Sequence, residues 1–211
     1  MIILKNVCKQ YEEHIIFRNL NMEISDGELI ALTGSSGSGK TTLLNMIGAI
    51  EPVTSGEILV DGKDIQKRHN QREYYRDKVG FLFQNFALVE NKTVAENMNI
   101  IKKKARSSVT IEQALEYVGL TDKLNHKVYK LSGGEQQRIA LARLMVKKCD
   151  IVLADEPTGS LDRNNADMVI ELLKKINEMG KTVIIVTHDM KIAEKCTRNI
   201  EISNMNIIKY S

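Results

Sequence analysis

The octapeptide GSSGSGKT, Gly34 to Thr41, fits the pattern G-x-x-x-x-G-K-[ST] and lies between an apolar strand pattern, Glu28 to Thr33, and a helix-forming run, Thr42 to Ile47. At ordinary residue usage the pattern arises by chance in roughly one chain per hundred of this size, and the flanking strand and helix lower those odds further. In this context the glycines let backbone N–H groups wrap phosphate oxygens. Lys40 pairs with the outer phosphates, and the Thr41 hydroxyl is placed to ligate magnesium. The predicted phosphate contacts are Gly34, Ser35, Ser36, Gly37, Ser38, Gly39, Lys40, Thr41 and Thr42.

A loop of this kind needs a metal partner on a neighbouring strand. Ile151 to Glu156, IVLADE, supplies four apolar residues ending in Asp155, a metal-organising carboxylate, followed by Glu156. Two successive carboxylates at a strand end repel each other unless a cation or proton intervenes. Glu156 is therefore a candidate to polarise an attacking water. Val183 to Val186 ends in Thr187-His188-Asp189, which brings His188 within reach of a γ-phosphate or that water. Gln84, after Val79 to Phe83, can offer its amide oxygen to the metal and its nitrogen to water. The predicted metal set is Thr41, Gln84 and Asp155, with Mg2+ as the ion, and the predicted catalytic set is Glu156, His188 and Gln84.

The continuous apolar runs Val79 to Phe83, Ile151 to Ala154 and Val183 to Val186 read as strands buried on both faces of a parallel sheet. Ile2 to Val7, the alternating Phe17, Leu20, Met22 and Ile24, then Glu28 to Thr33, and Gly56 to Val60 with its Asp61-Gly62 turn read as short strands of an N-terminal antiparallel layer. No strand pattern occurs between Gln84 and Leu131. Val94 to Lys104 and Ile111 to Val118 read as helices, so residues 85–145 form a helical subdomain nested in one domain, 1–211. The class is α/β, a P-loop NTPase with a RecA-like parallel sheet core.

Residues 131–138, LSGGEQQR, start a further helix. Ser132 and Glu135 have capping-box spacing, and the run to Val146 favours helix. Capping leaves Gly133 and Gly134 unexplained, since each disfavours helix by about 1 kcal/mol relative to alanine. Two glycines at a positive helix end would let an anion approach bare N–H groups.

The net charge of +3 is too mild to make nucleic acid the partner. The basic run Lys102, Lys103, Lys104, Arg106 reads as a solvated helix face, with an acidic surface as the alternative. Cys8, Cys149 and Cys196 are odd in number and far apart, which argues for a reducing compartment. No apolar run approaches the ~20 residues that span a bilayer, so any service to a membrane is expected from outside it.

The P-loop, Gln84, LSGGE, IVLADE, Ser160-Leu161-Asp162 and His188, in this order and spacing, resemble the ATPase domains of ATP-binding cassette (ABC) proteins over essentially the whole chain. The resemblance implies a head-to-tail homodimer in which Ser132, Gly133, Gly134 and Glu135 of one copy close on ATP held by the other's P-loop. It implies that Tyr11 stacks on adenine, that Glu156 is the catalytic base and His188 the switch histidine, and that residues 160–162 connect the two sites. It also implies an integral membrane permease as partner, and a location at the cytoplasmic face of the cell membrane. The flanking Phe83 to Leu88 and Lys92 to Asn97 look like the macrolide-export and lipoprotein-release branch. There Phe86, Ala87, Leu88 and Val89 would form the groove for the permease. Control of a cell-wall or division complex without solute transport is the alternative. Only 91 residues separate Lys40 from Ser132, which leaves no room for the long coiled coil of DNA-remodelling relatives.

Overall fold

The computed structural model describes residues 1–159, 161–203 and 206–210. Its elements are β1 (Ile2–Tyr11), β2 (His14–Ile24), β3 (Leu29–Thr33), α1 (Lys40–Ile47), β4 (Ser55–Val60), β5 (Lys63–Asp64), α2 (Arg68–Glu73), β6 (Val79–Leu82), α3 (Val94–Met98), α4 (Ile111–Tyr117), α5 (Gly133–Val146), β7 (Ile151–Asp155), α6 (Arg163–Glu178), β8 (Thr182–Val186), α7 (Met190–Ala193), β9 (Arg198–Ser203) and β10 (Asn206–Tyr210). One sheet has the order β2-β1-β4-β5, with every pair antiparallel. The other has the order β10-β9-β3-β8-β7-β6, parallel except for β10. Leu29–Thr33, expected in the antiparallel layer, is thus an interior strand of the parallel sheet, where both of its faces are covered and all five residues are buried.

The parallel strands are apolar along their whole length because both faces are covered. Along β7, Ile151 and Leu153 join a core with α1 and the antiparallel layer, while Val152 and Ala154 join a second core with α5 and α6. Three layers result, and α1 is sandwiched between the two sheets. An ion triad also ties the layers: Lys78, just before β6, meets Asp61 of the β4–β5 turn at 2.9 Å and Asp150 at 2.8 Å.

The sheet register positions the site. Leu32 pairs with Val186, and Asp155 with Val186 from the other side. Gly34, Glu156 and His188 therefore leave the same carboxyl edge from adjacent strands. Leu82 pairs with Ala154, which brings Gln84 to that edge as well.

Two helical expectations change. The helix from Val94 ends at Met98 rather than Lys104, as the ladder tightens to i→i+3 bonds, Ile100 N to Asn97 O and Ile101 N to Met98 O, both at 3.4 Å. The basic run is accordingly not a helix face. Lys103–Ala105 form one 3-10 turn, and Arg106 turns inward onto Ile101 O at 2.9 Å and Asn99 Oδ1 at 2.8 Å. Nor do Phe86 to Val89 form one outward patch. Phe86 and Leu88 pack on the helical core while Ala87 and Val89 stay exposed, and Arg143 donates to the Ala87 and Phe86 carbonyls.

Candidate active site

The loop after β3 is shaped by its glycines. Gly37 and Gly39 have φ of +77° and +96°, in the left-handed region. At Gly34, φ is +141° and a Cβ would stand 2.2 Å from the Ile202 carbonyl oxygen of β9, so no other residue fits. The cavity over this loop is lined by Ile16, Gly37, Gly39, Lys40, Thr41 and Thr42. None of Ser132 to Glu135 is among them. Lys40 is nearly buried, and its ammonium donates to the Gly34 and Ser35 carbonyls at 2.9 and 2.8 Å. The loop thus holds its own cation in waiting.

Thr41 Oγ1 donates to Asp155 Oδ1 at 3.1 Å, linking the start of α1 to the end of β7. Burial pushes the Asp155 carboxyl up from its usual range, and the neighbouring Glu156 adds to this. An acid so placed is relieved by a cation. A hard cation such as Mg2+ fits this set, since it takes one or two protein oxygens and completes its shell with phosphate and water.

Glu156 has a backbone φ of +43°, unusual for a residue with a side chain. Its carboxylate lies 3.0 Å from His188 Nδ1. A carboxylate partner selects the tautomer with the proton on Nδ1, which leaves Nε2 facing outward. Gln84 is exposed, and its Nε2 would lie 3.5 Å from a Cβ on Gly159, so its amide borders the segment that follows Glu156. Tyr11, at the β1–β2 turn, is 44% exposed with Lys9 Nζ 4.3 Å from its ring centroid. One ring face is thus backed by a cation.

The second glycine pair has a different setting. The capping box of α5 is formed: Glu135 N donates to Ser132 Oγ at 3.3 Å and Ser132 N to Glu135 Oε2 at 2.8 Å. That backbone bond, helped by the Ser132 side chain and Lys123, holds the Glu135 carboxyl below its usual range. Gly133 is open, with Phe86 4.0 Å from a built Cβ. Gly134 is needed inside the chain, because a Cβ there would meet the Asn165 side chain at 2.5 Å. Of the connecting residues, Ser160 lies outside the described residues. Asp162 caps α6 by accepting from Asn165 N at 3.1 Å.

Sequence reasoning missed Ile16, which packs on Gly39, and Gln137, a polar residue within the apolar face of α5 that is wholly buried. In Gln137 the signal was present, as a polar letter at a core position.

A phosphate-shaped loop, a hydroxyl–carboxylate pair and an acid–imidazole pair at one edge of a parallel sheet define the class of P-loop nucleoside triphosphate hydrolases. The family model described as ABC transporter matches residues 17–159, and the chain belongs to this family as one of its ATPase cassettes. It is 40% identical over 215 residues to the macrolide export ATP-binding/permease protein MacB of Campylobacter jejuni, covering 99% of this chain and 34% of MacB. The chain thus spans about a third of that relative's length. It is 39% identical to the uncharacterized ABC transporter ATP-binding protein YvrO of Bacillus subtilis, covering 99% of this chain and 96% of YvrO. The dimeric structure of the cassette MJ0796 of Methanocaldococcus jannaschii superimposes with a TM-score of 0.88 at 37% identity, over 100% of this chain and 98% of MJ0796. A second MJ0796 structure is a dimeric post-hydrolysis state bound to ADP and Pi. No helix of the described residues is long and apolar enough to cross a membrane.

Proposed function

We propose that this cassette binds MgATP, closes head to tail on a second copy, hydrolyses the nucleotide and reopens, and that this cycle drives a separate integral membrane permease. The observation that carries the reading is the division of the site. Lys40, Thr41, Asp155, Glu156 and His188 meet at one edge, whereas the capped, glycine-opened start of α5 contributes nothing to the P-loop cavity. In this reading the P-loop amides of Gly34 to Thr42 and Lys40 hold the phosphates, and Tyr11 stacks on adenine. Thr41, Asp155 and Gln84 hold Mg2+, which supplies charge neutralisation at the phosphates. Glu156 orients and deprotonates the attacking water, kept in place by His188. Ser132, Gly133, Gly134 and Glu135 face the nucleotide of the partner copy.

The likeness to MacB favours export or mechanical transmission, with a peptide, drug, bacteriocin or lipoprotein as cargo and the cytoplasmic membrane face as the place of work. The exposed Ala87, its carbonyl held by Arg143, and Val89, its backbone held by Asn97, are the side chains of the 86–89 segment open to a permease. The test is the dependence of turnover on protein concentration. Specific ATPase activity should rise with concentration and level off as pairs form. A specific activity constant down to nanomolar chain would contradict the paired site.

A further inference from the structure

Gln137 is wholly buried on α5, with Nε2 donating to the Pro157 carbonyl at 2.7 Å. Its Oε1 is buried with no hydrogen-bond partner among the described residues. An orphaned buried acceptor costs about 1–3 kcal/mol, which offsets what the bond to Pro157 contributes. Stability alone does not account for this amide.

Pro157 directly follows Glu156, whose left-handed backbone costs on the order of 1–3 kcal/mol and persists only where its surroundings over-determine it. Two backbone bonds do part of this: Glu156 N donates to Val186 O at 3.0 Å, and Gly159 N to Glu156 O at 3.2 Å. Gln137 supplies a third hold, from a different element. A few residues on, Asn165 sits against Gly134 while its Nδ2 donates to Asp162 Oδ2 at 2.5 Å. The segment after Glu156 is thus seated on the first turns of α5 at two points.

We propose that Gln137 is a positioning residue for Glu156: its buried amide fixes the strained turn to α5, so that the helix offered to one nucleotide and the carboxylate aimed at the other move together. The inference rests on Glu156 acting on the attacking water. A displacement near 1 Å at a reacting group costs up to about 10²-fold in rate.

The experiment compares Gln137→Met, which keeps volume and removes both polar atoms, with the unaltered chain. Expected are a melting temperature within a few degrees of the unaltered chain's, since the lost Oε1 orphan is exchanged for an unpaired Pro157 carbonyl, a Kd for MgATP within about twofold, and kcat lower by about 10–10². In a Glu156→Gln background the same change should leave residual turnover as it was, because the carboxylate it positions is gone. Should Gln137→Met pack poorly, Gln137→Leu gives the same comparison. Unchanged kcat in the single variant, or a loss of equal size in the Glu156→Gln background, overturns the inference. Full turnover by Glu156→Gln alone would instead overturn the reading of Glu156.

Discussion

Two helices of this cassette begin in glycine-rich turns, and the turns differ in what surrounds them. Ahead of α1, Gly37 and Gly39 take positive φ and Gly34 yields to a carbonyl of β9, while Lys40, Thr41 and Asp155 gather around the opening. Ahead of α5, Ser132 and Glu135 cap the helix, Gly134 yields to Asn165, and Gly133 is open. The cations near it, Lys123 at 3.7 Å from Glu135 and Arg138 on the same helix, answer that carboxylate. The first turn has the charge to hold a triphosphate alone. The second has a positive helix end and space, which suit a phosphate already held elsewhere. In the proposed cycle the chain carries one complete cradle and one lid for its partner.

The comparison predicts unequal consequences of damage. Largest are Lys40→Ala and Glu156→Gln, each expected to lower phosphate release by about 10³-fold. Lys40→Ala should also abolish nucleotide binding in calorimetry, whereas Glu156→Gln should bind normally. Next, alanine at the two turns should act with opposite signs on stability. Gly34→Ala forces a backbone clash and should cost about 1–3 kcal/mol in urea unfolding. Gly133→Ala should add up to about 1 kcal/mol through helix propensity while turnover falls. A stable, fully active Gly133→Ala would erase the distinction between the turns.

A finer test is Glu135→Gln, which preserves the capping box but removes a negative charge facing the incoming anion. At about 0.3–1 kcal/mol for a charge at a helix end, half-maximal turnover should need roughly two- to fivefold less MgATP. Smallest is Lys78→Met, away from both turns, expected to cost about 1 kcal/mol or less at pH 7. Lys78 is the chief cause that holds the Asp61 carboxyl below its usual range. That stabilisation is present above the unfolded carboxyl value and lost as pH falls through the lower folded one. The difference in melting temperature between Lys78→Met and the unaltered chain should therefore begin to shrink near about pH 4 and vanish only below the lowered Asp61 value.

What the sequence disclosed followed from local pattern. β7 and β8 were legible because burial on both faces writes an unbroken apolar run, and the start of α5 because its cap is closed by residues three apart, whereas β3 was legible as a strand but not as a member of the parallel sheet. β9 was not legible: Ile200 and Ile202 are its buried positions, and its place is set by parallel pairing with distant β3. The end of α3 was hidden in a tightening of its last turn that no residue pattern marks. At the site, Lys40, Thr41, Asp155, Glu156 and His188 were readable as chemistry and the fold brings them together. The reason for Gly134 was not readable, because Asn165 approaches it only through the packing of α6 on α5. Gln137 was passed over for the same cause, its partner being a main-chain carbonyl that no sequence pattern marks.

The central claim is that each nucleotide is enclosed by two chains. Light scattering of the Glu156→Gln variant, with and without MgATP, measures this directly. The account predicts that molar mass doubles from one 23.8 kDa chain to two on adding MgATP, and that Lys40→Ala stays single under the same conditions. A variant saturated with MgATP that keeps the mass of one chain would contradict it.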